Sequence, residues 1–210
     1  MRGRFPNLLR SKEERVLKIA GDEINYFCDL IPIRNRVVRE EAIKLYKELY
    51  KRGFTKGRNR FRVIGALLYI LCCEYELPVF LEDIEFFTQE KAEKIEGVVR
   101  DICEELKINF KPHSPEVGLV RYGYELGMEQ SEITEALRVI YEAKARKLLS
   151  NDVKVDMGTA LLLAKEIELR RSFLRRVARR LRVREDELLR NFERLRRSLI
   201  CNHFRETKNL

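Results

Sequence analysis

The sequence offers no evident place to hold a metal. Its five cysteines, Cys28, Cys72, Cys73, Cys103 and Cys201, form no Cys-x-x-Cys pair, and its two histidines, His113 and His203, stand at no ligand spacing from them. There is no phosphate-binding loop, no G-x-G-x-x-G, no H-E-x-x-H and no Ser or Cys nucleophile beside a His. The pairs Glu40-Glu41 and Glu104-Glu105 read as ordinary surface charge on amphipathic helices. No catalytic residue, cofactor or small-molecule substrate is therefore expected. The longest apolar run, Val63 to Cys73, falls short of the 18 or so residues that span a bilayer. Arg2, Arg4 and Pro6 precede only a short apolar stretch, which does not read as a secretory signal. Cys28, Cys72 and Cys103 lie in apolar helical runs, where free thiols pack as small hydrophobes and point to a reducing compartment. The expectation is a soluble chain that is not an enzyme.

What is present is charge and helical period. Charged residues make up 37% of the chain, against a usual level of about 25%. With only Gln89 and Gln130 as glutamines, such a composition suits high temperature, and long solvated helices give the same numbers. Forty-three Lys and Arg against thirty-four Asp and Glu leave a net charge of +9, which favours an anionic partner such as nucleic acid or an acidic membrane.

Apolar spacing predicts helices almost throughout, and no strand alternation occurs. In Ser11 to Leu30, Val16, Ile19, Ile24, Phe27 and Leu30 fall near one face, with Ser11 and Glu14 as a capping box. A second helix spans about Asn35 to Lys51, and the glycines of Gly53 to Gly57 mark a loop. Phe61 to Tyr75 is apolar on nearly every side, so it is expected to be enclosed by its neighbours. Helices over Phe80 to Phe87 and Glu90 to Leu106 close the first half. The stretch Asn109 to Pro115 is the best linker, and the pattern then recurs as Pro115 to Leu126, Ser131 to Leu148, Val155 to Leu169, Ser172 to Leu181 and Glu185 to Leu199. The halves correspond at an offset of about 94. Glu41-Ala42-Ile43 answers Glu135-Ala136-Leu137, Gly65 to Leu68 answers Thr159 to Leu162, and Phe80 to Phe87 answers Leu174 to Leu181. The expected division is an arm (1–11), a first repeat (12–108), a linker (109–114), a second repeat (115–200) and a tail (201–210).

Five helices with an apolar third one resemble a cyclin box. Val37 to Cys73, VVREEAIKLYKELYKRGFTKGRNRFRVIGALLYILCC, together with Tyr141 to Glu168, is similar to the core of transcription factor B, the archaeal counterpart of factor IIB. The resemblance implies an all-α fold of two tandem five-helix repeats, the second ending in a helix-turn-helix. It also implies TATA-binding protein and double-stranded promoter DNA as partners. The compartment would be the nucleoid-associated cytoplasm if archaeal and the nucleus if eukaryotic. The family begins with a zinc ribbon. This chain starts about ten residues before the first cyclin helix, so the expectation is a core without that ribbon.

The segment Arg170 to Leu199 has the form of the helix-turn-helix. Phe173, Leu174, Val177, Ala178 and Leu181 share one face of its first helix, and Leu188, Phe192, Leu195 and Leu199 one face of its second. Arg182 stands where such turns often carry Gly, which predicts a wider or differently shaped turn. Arg170, Arg171, Arg175, Arg176, Arg179, Arg180, Arg182 and Arg184 come without an intervening acid, and a solvent-facing stripe of them would suit phosphates. Arg190, Arg194 and Arg197 form a second stripe, with Asn191 between them as a base-reading candidate. Against the family pattern, Leu189 and Asn191 replace positions usually basic, and Glu185, Asp186 and Glu187 occupy the first turn, where acids suit the helix dipole. Lys56, Arg58, Arg60 and Arg62, before the apolar helix, are secondary phosphate candidates. The corresponding first-repeat helices are acidic, with Glu82, Asp83, Glu85, Glu90, Glu93 and Glu96. Two alternatives stay open: solvated arginine faces balanced by Glu, and a cyclin-like module that docks on a protein without touching DNA.

Overall fold

The computed structural model describes residues 12–31, 33–165 and 171–206, with the side chains of 200–206 excepted. The expected capping box at Ser11, and Arg170, lie outside these residues. Among the described residues the chain is all α. The helices are α1 (Lys12–Leu30), α2 (Arg36–Lys51), α3 (Arg60–Glu74), α4 (Leu81–Thr88), α5 (Ala92–Leu106), α6 (Pro115–Glu125), α7 (Gln130–Ala145), α8 (Val153–Ala164), α9 (Arg171–Leu181) and α10 (Glu185–Glu206). They divide into two compact units, 1–112 and 113–210. The fold is two tandem five-helix, cyclin-like repeats, as expected.

Local chemistry sets the helix ends. Asn35, Asn59 and Asp152 cap α2, α3 and α8, each accepting backbone N–H groups of the first turn through its side-chain oxygen. Helix α7 stops at Ala145, three residues short of the expected Leu148. Lys147 adopts φ +56° there, and the Leu148 N–H bonds the Ala143 carbonyl at 2.8 Å. Gly53, with φ +77°, ends α2 through the same pair of bonds, from Gly53 to Tyr50 and from Phe54 to Leu49. At the other extreme α10 runs on to Glu206, past the expected Leu199, because no Gly or Pro interrupts it.

In each unit the third helix is enclosed. Helix α3 buries every residue from Val63 to Cys73 except Tyr69, and α8 buries Val155 to Leu162 and Ala164. The closing helices approach these two so tightly that the same position is glycine in both. A Cβ on Gly65 would lie 2.8 Å from Ile84, 3.3 Å from Thr88 and 3.8 Å from Ile95. One on Gly158 would lie 3.3 Å from Val177, 3.0 Å from Leu181 and 2.6 Å from Leu188. All four pairs of counterparts, Gly65 with Gly158 included, are 93 residues apart. This corrects two sequence pairings, Gly65 with Thr159 and Phe80 to Phe87 with Leu174 to Leu181, each one residue out of register. The offset is 94 up to Gly53 and Lys147, and drops by one because the segment to the next N-cap is a residue shorter in the second unit, from Lys147 to Asp152 rather than from Gly53 to Asn59.

Candidate nucleic-acid interface

Helix α9 is built to lie on α8. Leu174, Val177, Ala178 and Leu181 are buried on one face, each large aliphatic side chain contributing about 1.5–3 kcal/mol. The turn to α10 is tight. Arg182 takes φ +54°, its N–H meets the Arg179 carbonyl at 3.3 Å, and the Val183 N–H meets that of Ala178 at 2.9 Å. This is the conformation glycine usually supplies. The predicted widening at Arg182 therefore does not occur; the arginine accepts a strained backbone and the turn keeps its ordinary shape. Leu188 and Leu195 of α10 are fully buried.

The arginines separate into three groups. Arg171, Arg175 and Arg179 are exposed and stand one turn apart on the outward face of α9. Arg171 and Arg179 have no ion pair or hydrogen bond from their side chains among the described residues. Arg175 comes only within 3.9 Å of Glu185, both side chains being more than half exposed, a contact of little energetic weight. Arg182 is exposed at the end of this row.

The second group is tied to α6. Arg176 donates to the Leu126 carbonyl and stacks on Phe173. Arg180 donates to Glu125 at 2.5 Å and lies 4.8 Å from the Tyr122 ring centre. The acid missing from the α9 sequence thus arrives from 55 residues away.

The third group belongs to α10. Asp186 receives both Arg184, at 2.8 and 3.0 Å, and Arg190, at 3.3 Å. Desolvation pushes its carboxyl up, but Arg184 and then Arg190 together outweigh it and hold the group below the usual carboxylate range. Arg197 pairs loosely with Glu193 at 3.6 Å. Arg194 is anchored, donating to the Leu148 carbonyl at 2.8 Å and to Asn191 Oδ1.

Asn191 does not face solvent. It is 7% exposed, and its amide donates to Thr159 Oγ1 at 3.0 Å and Asp156 Oδ1 at 3.3 Å. Asp156 is itself buried and also accepts the Ser150 N–H at 2.9 Å. With donors and acceptor all engaged, Asn191 has no edge left for a base. Sequence reading missed this network, although one Asp inside the apolar run of α8 was its signal: a buried carboxylate must find donors.

Three of the four secondary candidates are structural pins. Arg60 makes a two-pronged pair with Glu23 at 2.5 and 2.6 Å, Arg62 pairs with Glu90, and Arg58 pairs with Asp101 at 3.3 Å and lies over Phe54 at 4.0 Å. Lys56 is exposed. No group of three His, Cys, Asp or Glu residues able to hold a metal occurs among the described residues. None of their helices is long and apolar enough to cross a membrane.

Residues 13–104, the first unit's five helices, match the family described as transcription factor TFIIB repeat. The chain is similar to transcription initiation factor IIB of Sulfurisphaera tokodaii, with 25% identity over 73% of this chain and 50% of the relative. It is similar to that of Archaeoglobus fulgidus at 26%, over 74% and 48%, and to that of Methanopyrus kandleri at 25%, over 84% and 61%. The chain spans about half the length of the curated relatives it matches. Coverage of this extent runs past residue 112 into the second unit, so the similarity to transcription initiation factor IIB takes in part of each of the two cyclin-like repeats, and the first of them matches the TFIIB repeat along nearly its whole length.

Proposed function

We propose that the chain binds promoter DNA, together with a TATA-binding protein, and acts as an initiation factor or as a regulator of initiation. The observation that carries this reading is the row Arg171, Arg175 and Arg179, cations one turn apart whose only acid within reach among the described residues is Glu185, 3.9 Å from Arg175. The fold gains nothing from it. Arg171 lies in the first turn of α9, where the helix dipole disfavours a positive charge. Guanidiniums repeated along one face suit successive phosphate oxygens, and phosphate contact positions a protein without reading sequence. The names of the relatives supply the process, transcription initiation. Base reading falls to the outward positions of α10, Arg190 and Arg197, because Asn191 is buried.

A titration of promoter duplex, with and without TATA-binding protein, tests the proposal at several salt concentrations. Each phosphate contact steepens the fall of log K with log salt by about 0.9. The variant Arg171/Arg175/Arg179→Ala is expected to lose up to about 2.7 from that slope. An unchanged slope would sink the DNA reading and leave the protein-docking module.

A further inference from the structure

The first unit carries the opposite chemistry on the same face. At the 93-residue offset, Glu82 of α4 stands where α9 has Arg175, and Phe86, 69% exposed, stands where it has Arg179. Gln89, with φ +57°, stands where the turn has Arg182. Phosphate would be repelled here. Beside this face is a cavity of about 440 Å³ lined by Tyr69, Leu81, Val99, Phe110, Pro112 and Cys103, with Glu96 and Arg100 completing it. Its floor is apolar, and the two charged side chains that line it are one acid, Glu96, and one base, Arg100. Burial chiefly pushes the Tyr69 phenol up, then Cys73, with the carboxylates of Glu82 and Glu96 adding to it; Glu82 directly follows the lining residue Leu81 on α4. Glu93 is exposed one turn before Glu96 on α5. Arg100 sits 3.5 Å from Glu96 with both side chains more than half exposed, a loose pair that an incoming cation can replace.

We infer that this cavity docks a basic segment of a protein partner, one lysine or arginine entering with its aliphatic stem on Tyr69, Leu81, Val99 and Phe110 and its cationic head at Glu82 and Glu96. A long cationic side chain is the ligand class that uses both an apolar wall and an acidic rim. In a chain of net charge +9 this face is negative, so it selects a partner that the rest of the surface repels. The inference does not depend on the DNA reading, since it concerns the other unit and the other sign of charge.

The test uses the whole chain and a defined probe, an acetylated Gly-Lys-Leu-Lys-Gly peptide, followed by methyl NMR. Binding is expected to shift the Leu81 and Val99 methyls and to slow iodoacetamide modification of Cys103, read on the Cys103-bearing fragment by mass spectrometry. Cys103 is the cysteine to watch because it is partly exposed, whereas Cys28, Cys72 and Cys73 are buried. Glu96→Gln should weaken the peptide about fivefold, and Arg100→Ala should tighten it about twofold by releasing Glu96. A peptide with Glu in place of Lys should do neither. The inference is overturned if the Leu81 and Val99 methyls stay still, if an uncharged Gly-Ser-Leu-Ser-Gly peptide binds equally, or if duplex DNA moves the same methyls.

Discussion

The Asn191 side chain of α10 hydrogen-bonds the Thr159 hydroxyl of α8 at 3.0 Å, so the helix expected to read DNA is fastened to the enclosed helix at its midpoint. The counterparts of Asp156, Thr159 and Asn191 in the first unit, 93 residues earlier, are Val63, Ala66 and Val98. The polar bridge is therefore a departure of the second repeat. Asn191→Ala strips a donor from Asp156 and an acceptor from Arg194, and should cost about 1–3 kcal/mol. Thermal unfolding checks the loss. Duplex affinity of the folded variant should change by less than about twofold, since no phosphate contact goes with it. A large, sequence-dependent loss of affinity with an unchanged midpoint would return Asn191 to the interface.

Arg182→Gly separates backbone cost from charge. A left-handed residue with a side chain costs roughly 1 kcal/mol that glycine does not, so the variant should be more stable. It should also bind duplex with a shallower salt dependence, by about 0.9 in the log–log slope. Denaturant midpoints and salt titrations on one preparation read both effects.

Gly158→Ala should destabilise the second unit more than Gly65→Ala does the first. The added Cβ meets three side chains at 2.6–3.3 Å at Gly158, against a nearest contact of 2.8 Å at Gly65. Overpacking of this kind costs about 1–3 kcal/mol, partly offset by the roughly 1 kcal/mol gained in helix propensity. Equal midpoints for the two variants would show that Leu188 can move aside.

Arg60→Ala should lower the stability of the first unit by about 1 kcal/mol, its pair with Glu23 being partly buried but still screened by solvent. It should leave the salt slope of DNA binding unchanged, because that guanidinium is committed within the fold. A salt slope that falls as it does for the α9 row would place Arg60 on phosphate.

Acid should weaken the second unit. Glu135 is held below the usual range by Arg138, Glu132 by Lys165, Glu116 by Lys144 against its own burial, and Asp186 by Arg184 and Arg190 against desolvation. A carboxyl depressed in the folded state stabilises it above the unfolded value, near 4, and that stability is lost as pH falls through the folded value. Unfolding followed from pH 6 to pH 3 should show a steepening loss below about pH 4.5, reduced in Lys165→Ala. A flat profile, or the same profile in Lys165→Ala, contradicts the assignment.

The sequence by itself determined which stretches are helical and that they are duplicated, because these rest on local chemistry. An apolar residue every third or fourth position, and α3 and α8 apolar all round, are written along the chain. It also gave the arginines of α9 an outward face, since their spacing opposes that of Leu174, Val177 and Leu181. Only the tertiary structure decided which charges are spent. Glu125 reaches Arg180 across 55 residues and Glu23 reaches Arg60 across 37, distances over which spacing carries no information. Asn191 turns inward because Asp156, buried on another helix, requires a donor. The one-residue change of register at the third helix comes from the shorter segment before it and shows only in the packing, where Gly158 rather than Thr159 makes room for Leu188. Periodicity is a property of one helix, whereas ion pairs and close approach belong to two.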